Sequence, residues 1–393
     1  MNRLLSIATL YPNSHTPRFG TFVARSLEAL AARGDWEVTL INPIGVPPVA
    51  FGKYRALAAA AVDGTERGVH VYRPTFPLIP RFGVRCNPAL IARSVRALAR
   101  RLHAEAPFDL VDAQFFFPDG PAAARIASDL GLPLSIKARG SDISYWGQRQ
   151  FARRAMLAAG DQAAGLLSVS DALTEDMVRL GMDRGKIVLN RTGLDRDRFR
   201  ALDHASIRRR LGEELGLRLS DDQPLLATVG ALTARKGQGL VIESLPALPG
   251  VQSLLVGSGE SRERLETQAR SLGVADRVHF AGIVDHDLLP IILSAADAMV
   301  LPSSHEGLAN AWVESLACGT PLVICDAGGA REVVTVPEAG LIVERSVSGV
   351  TEGIRQILAN PPAREAVAKT AERFSWTENA ASLAEYYRRL ICA

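Results

Sequence analysis

The chain alternates short apolar runs with amphipathic segments, and turn residues fall between them. Residues 4–10 (LLSIATL) form an apolar run followed by Pro12, Asn13, Pro17 and Gly20. In the next segment, FVARSLEALAAR, apolar positions recur at helical spacing, so the opening reads as strand, turn-rich loop and helix. WEVTLINPI predicts a second strand, and VHVYRP a short one inside an irregular region ending at Pro80. A helix begins near Pro88, and residues 108–146 read as strand, loop, helix, strand, loop. A basic helix over residues 151–159, the strand GLLSVS and a helix opened by Ser170 and Asp171 and closed by Gly181 come next. Strands alternating with helices predict α/β layers of the doubly wound kind.

Residues 200–223 are rich in charge and carry RRRLGEELG, a polar connector helix, after which the alternation restarts. PLLATVGALTARKGQGLVIESLPAL gives strand, loop and helix; SLLVGSGE and VHFAG give further strands. LVICDAGGAREVV and GLIVE add two more, and FSWTENAASLAEYYRRL closes the chain as an amphipathic helix anchored by Trp376. At 393 residues the chain exceeds what one hydrophobic core usually supports, so two domains are expected.

The stretch that carries the chemistry is LPSSHEGLANAWVESLACGTPLV, residues 301–323. A buried strand ends at Leu301, residues 302–308 form a loop, and Asn310 N-caps a helix over residues 311 to about 318. Gly319 suits the position just past the helix, and Pro321 blocks its continuation. Glu306 therefore sits on the loop and Glu314 on the helix. Free N–H groups at a helix start bind anions such as phosphate, whereas carboxylates accept hydrogen bonds from hydroxyls. Together they fit a sugar nucleotide; the plainer reading is a solvated loop residue and a surface helix residue. Upstream, Arg235 and Lys236 precede a helix, and adjacent cations there suit a diphosphate, Lys as a point charge and Arg as a planar fork.

Composition narrows the choice. The formal net charge of +3 implies no nucleic-acid partner. Cys86, Cys318, Cys325 and Cys392 lack metal-ligand spacing, which favours reduced thiols in a cytoplasmic protein. No segment has the length of a membrane span, and the start is too short for a signal peptide. A three-glycine dinucleotide fingerprint is missing, which counts against a nicotinamide dehydrogenase. Arg93, Arg96, Arg100 and Arg101 are interleaved with Leu90, Val95, Leu98 and Leu102, which suits either an anionic membrane surface or a helix packed on a sheet.

The run HEGLANAWVESLACGTPLV resembles the signature of the retaining, GT-B-fold glycosyltransferases of family 4, also called group 1. The resemblance implies two Rossmann-like, doubly wound α/β domains facing a cleft. Residues 1–199 would be the acceptor side, 200–372 the nucleotide-sugar side, and 373–393 a helix packing back on the first domain. By the same resemblance Glu306 faces the transferred sugar, Glu314 bonds the ribose, and Gly307, Leu308 and Asn310 sit at amide positions. Ile283 and Val284, just after the FxG of VHFAG, would read the nucleotide base, and Lys236 with Arg235 the diphosphate. Gly20 matches a glycine that lets backbone approach donor and acceptor, and is equally readable as a turn glycine. PDG (residues 118–120) and ARGSD (residues 138–142) look like a subgroup linked to cell-surface polysaccharides, which assigns Arg139 and Asp142 to the catalytic region; bracing of their own loop is the alternative.

Departures are visible too. Many family members carry His where this chain has Arg139, and His near Asp112 and Gln114; an Arg is usual where Ala231 stands, and Asn where Thr192 precedes Gly193. The implied activity is a retaining, metal-independent transfer of a hexose from a nucleoside diphosphate sugar, with UDP or GDP as the carrier and no other cofactor. A lipid-linked glycan acceptor, peripheral contact with an anionic membrane and a place at the inner face of the cell membrane are further expectations. A catalytically inactive sugar-nucleotide-binding subunit is the competing one.

Overall fold

The apolar runs become the inner strands of two parallel sheets, one in each of two units of the chain. The computed structural model describes residues 1–50, 52–79, 83–217, 219 and 223–392. Pro80, the expected end of the irregular region, and Ala393, the end of the C-terminal segment, lie outside them. One unit comprises Met1–Gly193 with Trp376–Ala393, the other Leu194–Ser375. The seam falls at Gly193 rather than at residue 199 because Trp376, the first residue of the helix Trp376–Cys392, lies against its Cα. A Cβ on Gly193 would stand 2.3 Å from the Trp376 ring.

The first unit holds an eight-stranded sheet. Its spatial order is Ile187–Leu189, Gly165–Ser168, Leu134–Lys137, Leu110–Ala113, Asn2–Ile7, Trp36–Ile41, Val69–Tyr72 and Gly64–Glu66. All pairs are parallel except the last, Gly64–Glu66 on Val69–Tyr72. WEVTLINPI does not run through as one strand. It stops at Ile41, and Ile44–Val46 pairs separately with Thr75–Pro77, because Pro43 has no N–H to give a ladder and Asn42 turns its amide to the Ala8 carbonyl, 2.7 Å away. The helix Lys53–Ala59 stands inside the region read from sequence as irregular. Leu4, Leu27, Val38 and Leu110 share a core with Leu383, Ala384 and Tyr387 of the closing helix, and Trp36 meets the Tyr387 ring edge-on at 5.6 Å.

The basic helix spans Asn87–Glu105. Ile91, Val95, Ala99 and Leu102 are buried, while Arg96 and Arg100 pair with Asp129 at 2.6 and 3.6 Å and Arg101 with Glu105 at 3.8 Å. Of the two readings of this helix, its apolar stripe serves the packed one. Among the described residues no helix is long and apolar enough to cross a membrane.

The second unit has a six-stranded, wholly parallel sheet ordered Val278–Gly282, Gln252–Val256, Leu225–Val229, Ala298–Leu301, Leu322–Cys325 and Gly340–Val343. Leu226, Val241, Leu255, Val300, Val323 and Ile354 fill its core. From Leu225–Val229 the chain winds outward in one direction, and from Ala298–Leu301 in the other. Those two neighbours form the switch point at which open α/β sheets place ligands, beyond the carboxyl ends of the strands.

Candidate functional site

Both loops leaving the switch point of the second sheet carry charge, and they meet. After Leu225–Val229 the chain makes a 3-10 turn, Ala234–Lys236, which ends in Lys236. After Ala298–Leu301 it runs through Pro302 to Ala309 and enters the helix Asn310–Ala317. Lys236 Nζ donates to Glu306 Oε1 at 2.5 Å, and both side chains are largely buried, 12% and 9% exposed. Arg235 adds a second cation, its Nη1 3.4 Å from the same Oε1 and 2.5 Å from the His305 carbonyl oxygen that accepts from it. The Ser304 N–H donates to the Arg235 carbonyl at 2.8 Å, which locks one loop to the other.

Glu306 is seated from behind by Gly328. At φ 53°, with a Cβ that would fall 2.1 Å from the Glu306 carbonyl oxygen, position 328 admits only glycine, and the Gly329 N–H donates to the Gly307 carbonyl at 2.7 Å. The helix opens one residue earlier than its sequence suggests. Ala309 holds the cap position, and Asn310 is the first helical residue with no side-chain cap bond. Asn310 is therefore not the N-cap: its amide has already turned into the helix, where its side chain cannot reach back. Among the described residues the N–H groups of Leu308, Asn310 and Ala311 have no hydrogen-bond partner, the arrangement an anion at a helix start requires. Gly319, at φ 76°, ends the helix where the sequence places it.

Glu314 lies in the second turn of that helix, partly exposed, and its carboxylate makes no hydrogen bond among the described residues. Burial pushes its carboxyl from 4.5 up to about 7, against the pull of the Arg198 guanidinium. Arg198 is a residue that the sequence reading missed. It is held by His286 Nδ1 at 2.7 Å and Asp287 at 3.0 Å, and only the folded chain brings it toward Glu314. A raised pKa means the neutral carboxyl favours the fold: this contribution is complete below about pH 4.5 and is lost as pH rises through about 7. Glu314→Gln is therefore expected to flatten the fall of Tm between about pH 4.5 and 7 relative to wild type, read by calorimetry, and an unchanged slope would contradict the raised pKa. Ile283 and Val284 follow the strand Val278–Gly282 on the other side of the sheet centre; Ile283 is 68% exposed and Val284 is buried.

The first unit places the remaining candidates. Gly20, at φ 75°, packs on the Leu10–Tyr11 backbone, where a Cβ would come within 2.5 Å, so the loop itself requires glycine there. Arg139 Nε donates to the Gln114 carbonyl at 3.2 Å, Nη2 donates to Gln114 Oε1, and the guanidinium lies 5.0 Å over the Phe22 ring. Burial draws its pKa down to about 10, opposed by Asp112 and Asp142. Asp142 has the contacts expected of the bracing alternative. Its fully buried carboxylate accepts from the backbone N–H groups of Phe116, Arg139, Gly140 and Ile143, at 2.8 to 3.1 Å, which consumes its lone pairs and makes it the brace of the ARGSD loop. Asp119 braces the first loop in the same way, accepting from the Thr9 N–H at 2.9 Å and the Thr9 hydroxyl at 2.7 Å. Among the described residues no cluster of His, Cys, Asp and Glu could hold a metal ion.

Comparison with known proteins decides what this fold belongs to. The family described as "Glycosyl transferases group 1" matches residues 216–374, and "Glycosyl transferase 4-like domain" matches residues 19–193. The chain is a group 1, family 4-like glycosyltransferase. A Bacillus subtilis glycosyltransferase provisionally named for teichuronic acid biosynthesis is 28% identical over 363 residues, 90% of this chain and 88% of that one. A lipopolysaccharide core biosynthesis glycosyltransferase of Rhizobium meliloti is 40% identical over 149 residues, 38% of this chain and 43% of the other. An Anabaena protein solved in complex with UDP and glucose superposes with a TM-score of 0.75 at 20% identity, covering 98% of each chain. The transferase therefore has the GT-B fold, built from two Rossmann-like domains.

Proposed function

We propose that this glycosyltransferase moves a hexose from a nucleoside diphosphate sugar to an acceptor hydroxyl, with retention of configuration and without a metal, in cell-surface polysaccharide or lipopolysaccharide synthesis. The observation that carries the reading is the Lys236–Glu306 contact at the sheet switch point, with Arg235 beside it and unpartnered amides at Leu308, Asn310 and Ala311. Lys236 and Arg235 would meet the charge that develops on the departing diphosphate, the electrostatic work that usually dominates catalysis. Glu306 would face the sugar and support positive character at its anomeric carbon. Glu314 would accept the ribose hydroxyls, and Ile283 and Val284 would flank the base. In the transfer the bond from the anomeric carbon to phosphate oxygen breaks, the acceptor oxygen bonds the same carbon on the same face, and its proton passes to the departing phosphate.

The names of the two relatives support a glycan of the cell surface as the product, and the UDP and glucose bound by the Anabaena protein support a nucleotide donor. Contact with a lipid-linked acceptor at an anionic membrane belongs to the same proposal, but the basic helix Asn87–Glu105 lends it no support. Proton NMR of the product against its donor tests the stereochemistry: an unchanged anomeric configuration and full activity in EDTA are expected. Inversion, or activity lost in EDTA and restored by a divalent cation, would overturn that part of the reading.

A further inference from the structure

A third loop of the second sheet reaches the two that carry Lys236 and Glu306. It follows the edge strand Gly340–Val343 and bears Arg345, just before Ser346 caps the helix Val347–Ala359. Arg345 Nε donates to the Pro302 carbonyl at 3.0 Å, and its Nη2 donates to the Ala234 carbonyl at 3.4 Å. Pro302 opens the loop that leads to Glu306, and Ala234 opens the turn that holds Arg235 and Lys236. One guanidinium therefore spans both loops.

The surrounding backbone gives that clasp its effect. Gly237, directly after Lys236, stands at φ 76°, and a Cβ there would fall 2.3 Å from the same Pro302 oxygen. The two loops are in backbone contact, and Arg345 ties the oxygen at which they touch. Pro302 is buried, and among the described residues no other donor reaches its carbonyl. A buried carbonyl left without a donor is costly, so removing Arg345 favours a shifted loop. Arg345 is itself fixed at its base: Ser346 Oγ accepts from the Gly349 N–H at 3.1 Å, and a Cβ on Gly349 would fall 2.5 Å from the Glu344 carbonyl oxygen. A planar fork meets two carbonyls at once, whereas a Lys ammonium is a point donor on a flexible stem.

We propose that Arg345 is a positioning residue for the transfer, which holds Lys236 and Glu306 at their working separation through the Ala234 and Pro302 carbonyls. Its role in transfer rests on the donor-site reading of those two side chains. Misplacement by about 1 Å costs on the order of 100-fold in rate, and charge on the departing diphosphate develops only in the transition state. UDP release from UDP-glucose by the full chain should therefore fall about 10- to 100-fold in kcat in Arg345→Ala, with KM changed less than about threefold. Arg345 lines a cavity of about 500 Å³ with Thr233, Ala234 and Gly237, so its truncation leaves room for a free guanidinium ion. Guanidinium at about 50 mM, where it denatures little, should restore kcat at least about threefold, and sodium chloride at the same concentration should not. Arg345→Lys, which keeps the charge without the fork, should stay at least about threefold below wild type.

A second measurement needs no substrate. The coupling between Lys236→Ala and Glu306→Ala in urea unfolding should fall by at least about half in the Arg345→Ala background. An unchanged coupling, kcat of Arg345→Ala within about threefold of wild type, or wild-type turnover in Arg345→Lys would overturn the proposal. Full activity in Glu306→Ala would strike the donor-site reading, and the role in transfer with it, while the unfolding cycle would still report the clasp.

Discussion

Glu306→Ala is expected to lower the transfer rate a hundred- to a thousand-fold while nucleotide binding survives. The magnitude is that of removing one well-placed electrostatic group from a desolvated site, on the order of 10²–10³ in kcat. The side chain is 9% exposed and sits 2.5 Å from Lys236, so its loss also strips a largely buried ammonium of its partner. That leaves a penalty of about 1–3 kcal/mol in the unliganded protein. A diphosphate then has Lys236 to itself, and the rise in melting temperature on adding the preferred nucleoside diphosphate should be larger in Glu306→Ala than in wild type. Activity within a factor of three of wild type would remove Glu306 from the reaction.

Lys236→Ala fails differently. Its loss takes the principal cation from the diphosphate and leaves the Glu306 carboxylate facing the phosphates, with only Arg235, 42% exposed, to balance it. A fall of about a thousand-fold in kcat/KM and a collapse of the nucleotide-induced stabilisation are expected. Because the two side chains share one contact, their effects on stability should not add. The double variant should be more stable than the sum of the single losses predicts, by about 0.5–3 kcal/mol. Additive losses would mean that the 2.5 Å contact contributes nothing in solution.

Much of the second unit's architecture is legible in the sequence because local chemistry punctuates it. Leu301 ending a strand, Gly319 ending a helix and Pro321 after it place Glu306 on a loop and Glu314 on a helix without tertiary information. Lys236 and Arg235 are readable for the same reason, as cations between a strand and a helix. Asn310 marks the limit of such reading, since a cap shifted by one residue depends on the angle at which the loop enters.

What the sequence hides is set by distant parts of the chain. Asp142 looks like a polar loop residue open to chemistry, yet the Phe116 amide, from another loop, helps to bury and satisfy it. Arg198 reads as one charge among several until the fold brings it toward Glu314. Lys137 lies in an apolar strand, and only the fold shows its ammonium donating to Asn190 in a buried position that Asn379, from the closing helix, also reaches. Periodicity identifies such strands but cannot say which of their polar side chains are sealed inside.

The central claim is that the loops carrying Lys236 and Glu306 form a nucleoside diphosphate site. Its most direct test is the melting temperature of the wild-type protein with UDP, GDP, ADP and their sugars, since a ligand that binds only the folded state must raise it. A rise of several degrees with one nucleotide and its sugar, and little with the others, is the predicted result. No rise with any of them at millimolar concentration would contradict the account.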